Sequence, residues 1–267
     1  MHVAMPSTAR TYRTNKAEKL RRIVSADAPW DVRFGLLRLA LARQSGTSES
    51  HLRADPLITI SADEHDVDWR IVLGIFVDGD YKTDYRGKVA LDVGAHKGFF
   101  GAYALIRGAA AVISYEPRTS NYIALERHAR ASREDGHRWL THYSAVGVEA
   151  GEADLYVAKQ SWQNTLLAAA PQAGAQTERV HVTPMATALD EARALGEQLV
   201  VKIDTEGYEC EIVEKTPAEA WAGVVELFVE VEESGPCSPE DVTRELERGG
   251  FILRGRTAPD VLHFVRS

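Results

Sequence analysis

The feature that most constrains this chain is the stretch Val89–Gly101, VALDVGAHKGFFG. Its first five residues form an apolar run that reads as a short buried strand, and the residues from Phe99 to Arg107 read as a helix ending at Gly108. Only a sharp turn connects the two. Glycine at 94 and 98 lets the main chain turn tightly and come close to a neighbour or a ligand. The spacing G-x-x-x-G is not the dinucleotide fingerprint G-x-G-x-x-G. Nor is it a P-loop, which needs Lys-Ser/Thr where Phe99-Phe100 stand. A strand, a glycine turn and a helix form half of a βα repeat.

The rest of the chain supplies further repeats. Ala111–Tyr115, Trp139–Ser144, Leu199–Ile203 and Val225–Val231 read as strands. Ser120–Ser132, the residues from about Glu206 to Lys215, and Pro239–Gly249 read as helices. Phe251–Leu253 and Val261–Val265 close the chain as a hairpin. The pattern predicts an α/β fold with a mostly parallel seven-stranded sheet, covered on both faces, and an antiparallel edge. Between Val146 and Gln198 the alternation breaks. Ala153–Ala158 and Arg179–Thr183 alternate in the manner of strands on either side of the small-residue run AAAPQAGAQ, which predicts a β-hairpin insertion at about 150–185. Residues 1–65 form a separate N-terminal lid or arm. It contains helices around Leu20–Val24 and over Asp31–Gln44, a polar linker at Ser45–Ser50 and a short strand at Leu57–Ile60. Residues 66–267 form the main domain, entered through a helix over Asp66–Phe76.

Glu116 stands 24 residues beyond Asp92, at the end of the second strand, and Pro117 closes that strand. An acid there can accept hydrogen bonds from both ribose hydroxyls of an adenosine cofactor. With Asp92 it makes the site negative, which suits the sulfonium of S-adenosylmethionine better than a diphosphate. A third element, Lys202-Ile-Asp204-Thr-Glu206-Gly207-Tyr208-Glu209, falls at the C-terminal end of the fourth strand, beside the crevice where open α/β sheets bind ligands. Thr205 and Glu209 can be explained as helix capping. Asp204 and Glu206 cannot, and Glu230, near the end of the next strand, faces the same crevice.

VALDVGAHKGFFG, ISYEP, the stretch Ser144–Gly147, Thr187–Asp190, VVKIDTEGYE and LFVEVE together resemble the FkbM-type family of S-adenosylmethionine-dependent methyltransferases. The resemblance runs from about Asp66 to the C-terminus, and K-I-D-x-E-G-x-E is its most specific part. It implies a Rossmann-like class I methyltransferase fold and, usually, methylation of hydroxyls on natural products or sugars. It also implies that Asp92, Gly94, Gly98 and Glu116 bind the cofactor while Asp204 lies near the transferred methyl. His96 departs from the family loop, which commonly carries Asn there. His96, Lys97, Phe99, Pro117, Ser144 and Ala145 complete the expected cofactor site.

A hydroxyl acceptor must lose its proton as it attacks or just before. Asp204 and His142 are the candidate bases, and Glu206 or Glu230 the candidates for positioning the acceptor. A divalent metal shared by Asp204, Glu206 and Glu230 is an alternative that no ligand spacing requires, so no metal site is assigned. The Asp/Asn-Pro-Pro-aromatic signal of amino-group methyltransferases is absent, which favours oxygen. Trp162, Gln163 and Asn164 in the hairpin are candidates for the acceptor pocket.

Net charge is −8, divided into +6 over residues 1–44 and −14 over the remainder. This can mark a nucleic-acid arm. The alternative, a helical lid over an acidic body, fits better because aromatics are sparse and no dense basic run occurs there; the same helices are a candidate homodimer contact, though nothing in the sequence fixes the oligomer. The expected partner is a small hydroxylated acceptor, with neither membrane nor nucleic acid. The rival readings are a methyltransferase acting on a macromolecule and a non-catalytic cofactor-binding module. No apolar run reaches the length of a membrane span and the N-terminus lacks a secretory core, so a cytoplasmic location is expected. In that compartment Cys210 and Cys237 are expected as reduced thiols.

Overall fold

The computed structural model describes residues 16–27, 30–42, 49–52, 58–61, 65–157, 176–231 and 237–267. Helices α1 (Lys16–Ser25) and α2 (Trp30–Ala42) come first. A small antiparallel pair follows, β1 (Glu49–Leu52) with β2 (Ile58–Ser61). Residues 49 and 50, expected in a linker, are therefore strand, because they pair with Ile60 and Ser61. Helix α3 (His65–Leu73) runs directly into a π-helical turn, Gly74–Asp78, which Gly79 ends with φ 78°.

The body then alternates β3 (Val89–Val93), α4 (Phe99–Ile106), β4 (Ala111–Tyr115), α5 (Thr119–Glu134) and β5 (Trp139–His142). Next come β6 (Ala145–Gly147), β7 (Gly151–Val157), β8 (Gln176–Pro184), α6 (Met185–Arg193), β9 (Leu199–Ile203) and α7 (Glu209–Lys215). It finishes with β10 (Val224–Glu230), α8 (Pro239–Arg248), β11 (Phe251–Arg256) and β12 (Val261–Arg266). Seven strands form one sheet in the order β11-β12-β10-β9-β3-β4-β5. The pairs β10/β9, β9/β3, β3/β4 and β4/β5 are parallel, and β12 runs antiparallel to both neighbours. This is the expected α/β architecture, with the closing hairpin at one edge. The insertion is a hairpin as expected, with Gly151–Val157 paired against Gln176–Val182. It gains a third strand, because β6 pairs parallel to β8. Residues 158–175, with Trp162, Gln163 and Asn164, lie outside the described residues.

Side-chain alternation divides the sheet between two cores. Ala90, Val112, Val200 and Phe228 face one core with α1 to α5, and it includes Ile23, Val32 and Leu36 of the N-terminal helices. Val89, Leu91, Val93, Tyr115, Ile203 and Val229 face the other, with α6, α7 and α8. The N-terminal helices therefore share a core with the main sheet. The same parity puts Asp92, Glu116, Lys202 and Glu230 on the first face, at the C-terminal ends of their strands.

Two expectations fail. Helix α7 begins at Glu209 instead of Glu206, because Glu206 takes φ 58° and Gly207 φ 107°, which no helix accommodates. Cys210 and Cys237 are joined in a disulfide and are not reduced thiols. Helices α7 and α8 lie against each other and bring residues 27 apart in sequence to a Cα separation of 5.5 Å. Cysteine spacing alone carries no sign of that proximity. Among the described residues no helix is long and apolar enough to cross a membrane.

Candidate active site

Four strand ends build the site. At β3 the chain turns through Gly94 with φ 75°, and a Cβ there would lie 1.7 Å from the Asp204 carbonyl oxygen. Only glycine lets the β3 and β9 connections meet so closely. Gly98 is equally constrained, with φ 83° and Leu125 only 2.6 Å from where its Cβ would stand. His96, between them, has φ 51°. Asn and His are among the few non-glycine residues that tolerate this left-handed region, which explains how one can replace the other here.

Glu116 is buried at the end of β4. Its carboxylate accepts the His96 N–H at 2.7 Å through Oε2 and the Arg118 N–H at 2.9 Å through Oε1, with Asn121 Nδ2 at 3.4 Å. Burial nevertheless pushes its pKa up to about 7, although those hydrogen bonds oppose the rise. The acid expected to hold a ribose is therefore fixed by the glycine loop on one side and the start of α5 on the other. The structure brings Pro117, partly buried, to the same edge. Phe99 is buried between His96 and His128, with ring centroids 6.1 and 6.0 Å away. Burial, and then the charges of Lys97, Lys202 and Arg118, keep the His96 imidazole neutral.

At the end of β9 Lys202 organises the acids. Its buried Nζ lies 3.3 Å from Asp92 Oδ1 and 3.1 Å from Asp204 Oδ2, and it donates to the Gly94 carbonyl at 2.8 Å. Burial opposes its charge, but Asp204, Asp92 and Glu230 outweigh that and hold its pKa above the ordinary lysine value. A fixed ammonium thus sits where two of the acids converge. Among the described residues no three His, Cys, Asp or Glu side chains are placed to hold a metal ion. Glu206 sits in the turn after Asp204. Glu209 instead closes that turn, accepting from Thr205 N at 2.7 Å, Thr205 Oγ1 at 2.9 Å and Gly207 N at 2.9 Å.

Beside them Glu230 ends β10, which is in register with β9 through Val229 and Ile203. Tyr81 donates its hydroxyl to Glu230 Oε2 at 2.9 Å. Burial, then Asp204 and Asp260, push the Glu230 carboxyl well above the usual range. Sequence reasoning missed Tyr81, because nothing in Gly79-Asp-Tyr81 marks it. The turn after α3 delivers it, Thr257 bonds to the Asp80 carbonyl, and Tyr85 donates to the Tyr81 carbonyl at 2.6 Å.

Four of the predicted residues make their contacts elsewhere. His142 does not join the site. It pairs with Tyr115, stacks on that ring at 4.5 Å and lies 3.0 Å from Glu191, all on the face opposite Asp92 and Glu230. Lys97 directs its ammonium to buried Asp68, at 2.7 Å. Ser144 Oγ lies within 2.9 Å of Thr183 Oγ1 and 3.0 Å of the His181 carbonyl, while Ala145 is buried with Leu155 and Val180, so both tie the hairpin to the body.

The Methyltransferase FkbM domain model matches residues 92–253, which is more than half of the chain. This chain belongs to the FkbM methyltransferase family. The matched span of this FkbM-family chain begins at Asp92 and takes in Glu116, Lys202, Asp204 and Glu230, whereas Tyr81 and Asp68 precede it. A solved FkbM methyltransferase from Methylobacillus flagellatus KT is 15% identical, with a TM-score of 0.49, and the match covers 94% of this chain but only 58% of that one. Magnesium protoporphyrin IX methyltransferase from Synechocystis PCC 6803, solved with S-adenosylmethionine, is 13% identical over 95% of this chain and 92% of that one, with a TM-score of 0.39. A Bacillus subtilis tRNA methyltransferase is 12% identical over 69% and 62% of the respective chains, with a TM-score of 0.37. No functionally curated protein matches the chain.

Proposed function

We propose that this protein transfers a methyl group from S-adenosylmethionine to a hydroxyl of a small, hydroxylated acceptor. The observation that supports this most is the pairing of two unlike carboxylates at adjacent strand ends: Asp204 bridged to Lys202, and Glu230 held by Tyr81. The residues fit the cofactor. Glu116 offers a fixed acid for two ribose hydroxyls, the glycine turn admits a ligand at the main chain, and the acids at the strand ends complement a sulfonium. When bound, the cofactor supplies an activated methyl whose leaving group departs as a neutral thioether.

The work left to the protein is orientation, exclusion of water and removal of one proton. Asp204, charge-paired with Lys202, is suited to hold and orient. Glu230 has the raised proton affinity of a general base, so the assignment of base moves from His142 and Asp204 to Glu230. Tyr81 fixes one Glu230 oxygen and leaves the other for the acceptor.

The test is calorimetry with S-adenosylhomocysteine, followed by screening hydroxylated metabolites with isotopically labelled S-adenosylmethionine. Glu230→Gln is expected to lower kcat at least a hundredfold while cofactor affinity stays within about threefold. Undiminished turnover in that variant refutes the base assignment. Cofactor binding without transfer to any acceptor supports a non-catalytic module instead.

A further inference from the structure

Among the described residues two lysines are buried, and each has an acid: Lys97 has Asp68, and Lys202 has Asp92 and Asp204. Arg118 differs. Its Nε and Nη1 are buried, yet neither has a hydrogen-bond partner among the described residues. A guanidinium carries five donors and cannot shed its proton, so burying two of its nitrogens without an acceptor is costly. Groups of this kind in a folded protein call for an explanation, and an absent ligand is a common one.

The position of Arg118 specifies the ligand. The Glu116 carboxylate accepts the main-chain N–H of Arg118 on one oxygen and that of His96 on the other. Arg118 and His96 therefore flank the same acid, and the guanidinium is near enough to His96 to help keep its imidazole neutral. The main chain of Arg118 is thus tied to the acid that also holds the glycine loop, and the unsatisfied donors belong to that same residue. The Glu116 carboxylate is already engaged by main-chain donors. A planar fork of N–H groups is complementary to a carboxylate, which it binds through two parallel hydrogen bonds. S-adenosylmethionine carries one anionic group, the carboxylate of its amino-acid tail.

We infer that Arg118 binds the carboxylate of the cofactor's methionyl tail, so that its guanidinium holds the amino-acid tail of the ligand whose ribose Glu116 holds. The inference rests on the cofactor reading given under Proposed function. It makes Arg118 a determinant of cofactor specificity, selecting for the intact amino acid over analogues that lack the carboxylate.

The test compares S-adenosylmethionine with decarboxylated S-adenosylmethionine, which differ only in that group, by calorimetry on the full-length protein and on Arg118→Gln and Arg118→Lys. The wild type should prefer the intact cofactor at least tenfold. Arg118→Gln should weaken it roughly tenfold to a hundredfold, as expected for loss of a charge-assisted pair, and leave the decarboxylated form within about threefold. Arg118→Lys keeps the charge without the fork and should fall between. Equal loss for both ligands, unchanged affinity for the intact cofactor, or no wild-type preference overturns the inference. A wild type that binds neither ligand defeats the cofactor reading itself, and the Arg118 assignment falls with it.

Discussion

Lys97 and Asp68 offer a sharp test of how the N-terminal segment supports the cofactor loop. The ion pair is 2.7 Å long, and its side chains are 7% and 0% exposed. Lys97 belongs to the glycine loop and Asp68 to α3, so the bond crosses from the segment before the sheet to the turn after β3. His128 Nδ1 contacts the Lys97 carbonyl at 2.7 Å and holds the same residue from the α5 side. Lys97→Met replaces the lysine with an apolar chain of similar length and removes the cation 2.7 Å from buried Asp68. Removing one partner of a buried pair costs about 3–5 kcal/mol, mostly from the charge left behind. The double variant Asp68→Leu with Lys97→Met removes both charges and should recover most of that loss, since well-packed apolar replacements of buried pairs are often close to neutral. Urea denaturation of the four proteins at pH 7, followed by circular dichroism, closes the thermodynamic cycle. S-adenosylhomocysteine affinity, measured on the double variant, should remain within about threefold of wild type if the ammonium serves only Asp68. A loss under about 1 kcal/mol in Lys97→Met refutes the buried-pair argument. A double variant that folds well but no longer binds the nucleoside restores Lys97 to the cofactor site.

Two further outcomes are expected. Because burial raises Glu116 to about 7 and ribose hydroxyls favour its ionised form, S-adenosylhomocysteine affinity should rise with pH from about 6 and level off above about 8. Calorimetry across that range checks it, and a flat wild-type profile contradicts the ribose assignment. Reducing the Cys210–Cys237 bond, which closes a span of 27 residues, should lower unfolding stability by about 3 kcal/mol in chain-entropy terms. Denaturation with and without reductant measures this, and identical midpoints in protein shown to contain the bond refute it.

The sequence made legible those parts of the fold and site whose causes are local. A strand, a glycine turn and a helix are contiguous, so the loop at Gly94 and Gly98 could be read directly. Glu116, Asp204 and Glu230 could be placed because each ends an apolar strand, and strand ends in such sheets face the crevice. What failed depended on parity or on distant partners. His142 also ends a strand, but its register partner is Tyr115, and a one-residue difference in alternation sends it through the sheet to Glu191. Lys97 sits in the right loop, yet its partner lies 29 residues upstream. Cys210 and Cys237 meet only because α7 and α8 do. Tyr81 depends on a π-helical turn for its reach, and no residue pattern announces that turn. Arg118 follows Glu116-Pro117 in plain view, but that its Nε and Nη1 are buried without a hydrogen-bond partner among the described residues is visible only in the fold.

The division of the sheet into two cores sets limits on how this protein can vary. Every acid of the crevice shares a face with Ala90, Val112, Val200 or Phe228, while the intervening residues fill the opposite core. Inserting one residue within β3, β9 or β10 would exchange the two sets, burying carboxylates among leucines and valines and turning apolar side chains toward the ligand. Those strands are thus locked in phase and can diverge only by substitution. The hairpin of β7 and β8 belongs to a separate sheet and carries no such phase relation to the catalytic strands. Length changes there do not exchange the two faces of the main sheet, so the hairpin is free to vary by insertion as well as by substitution.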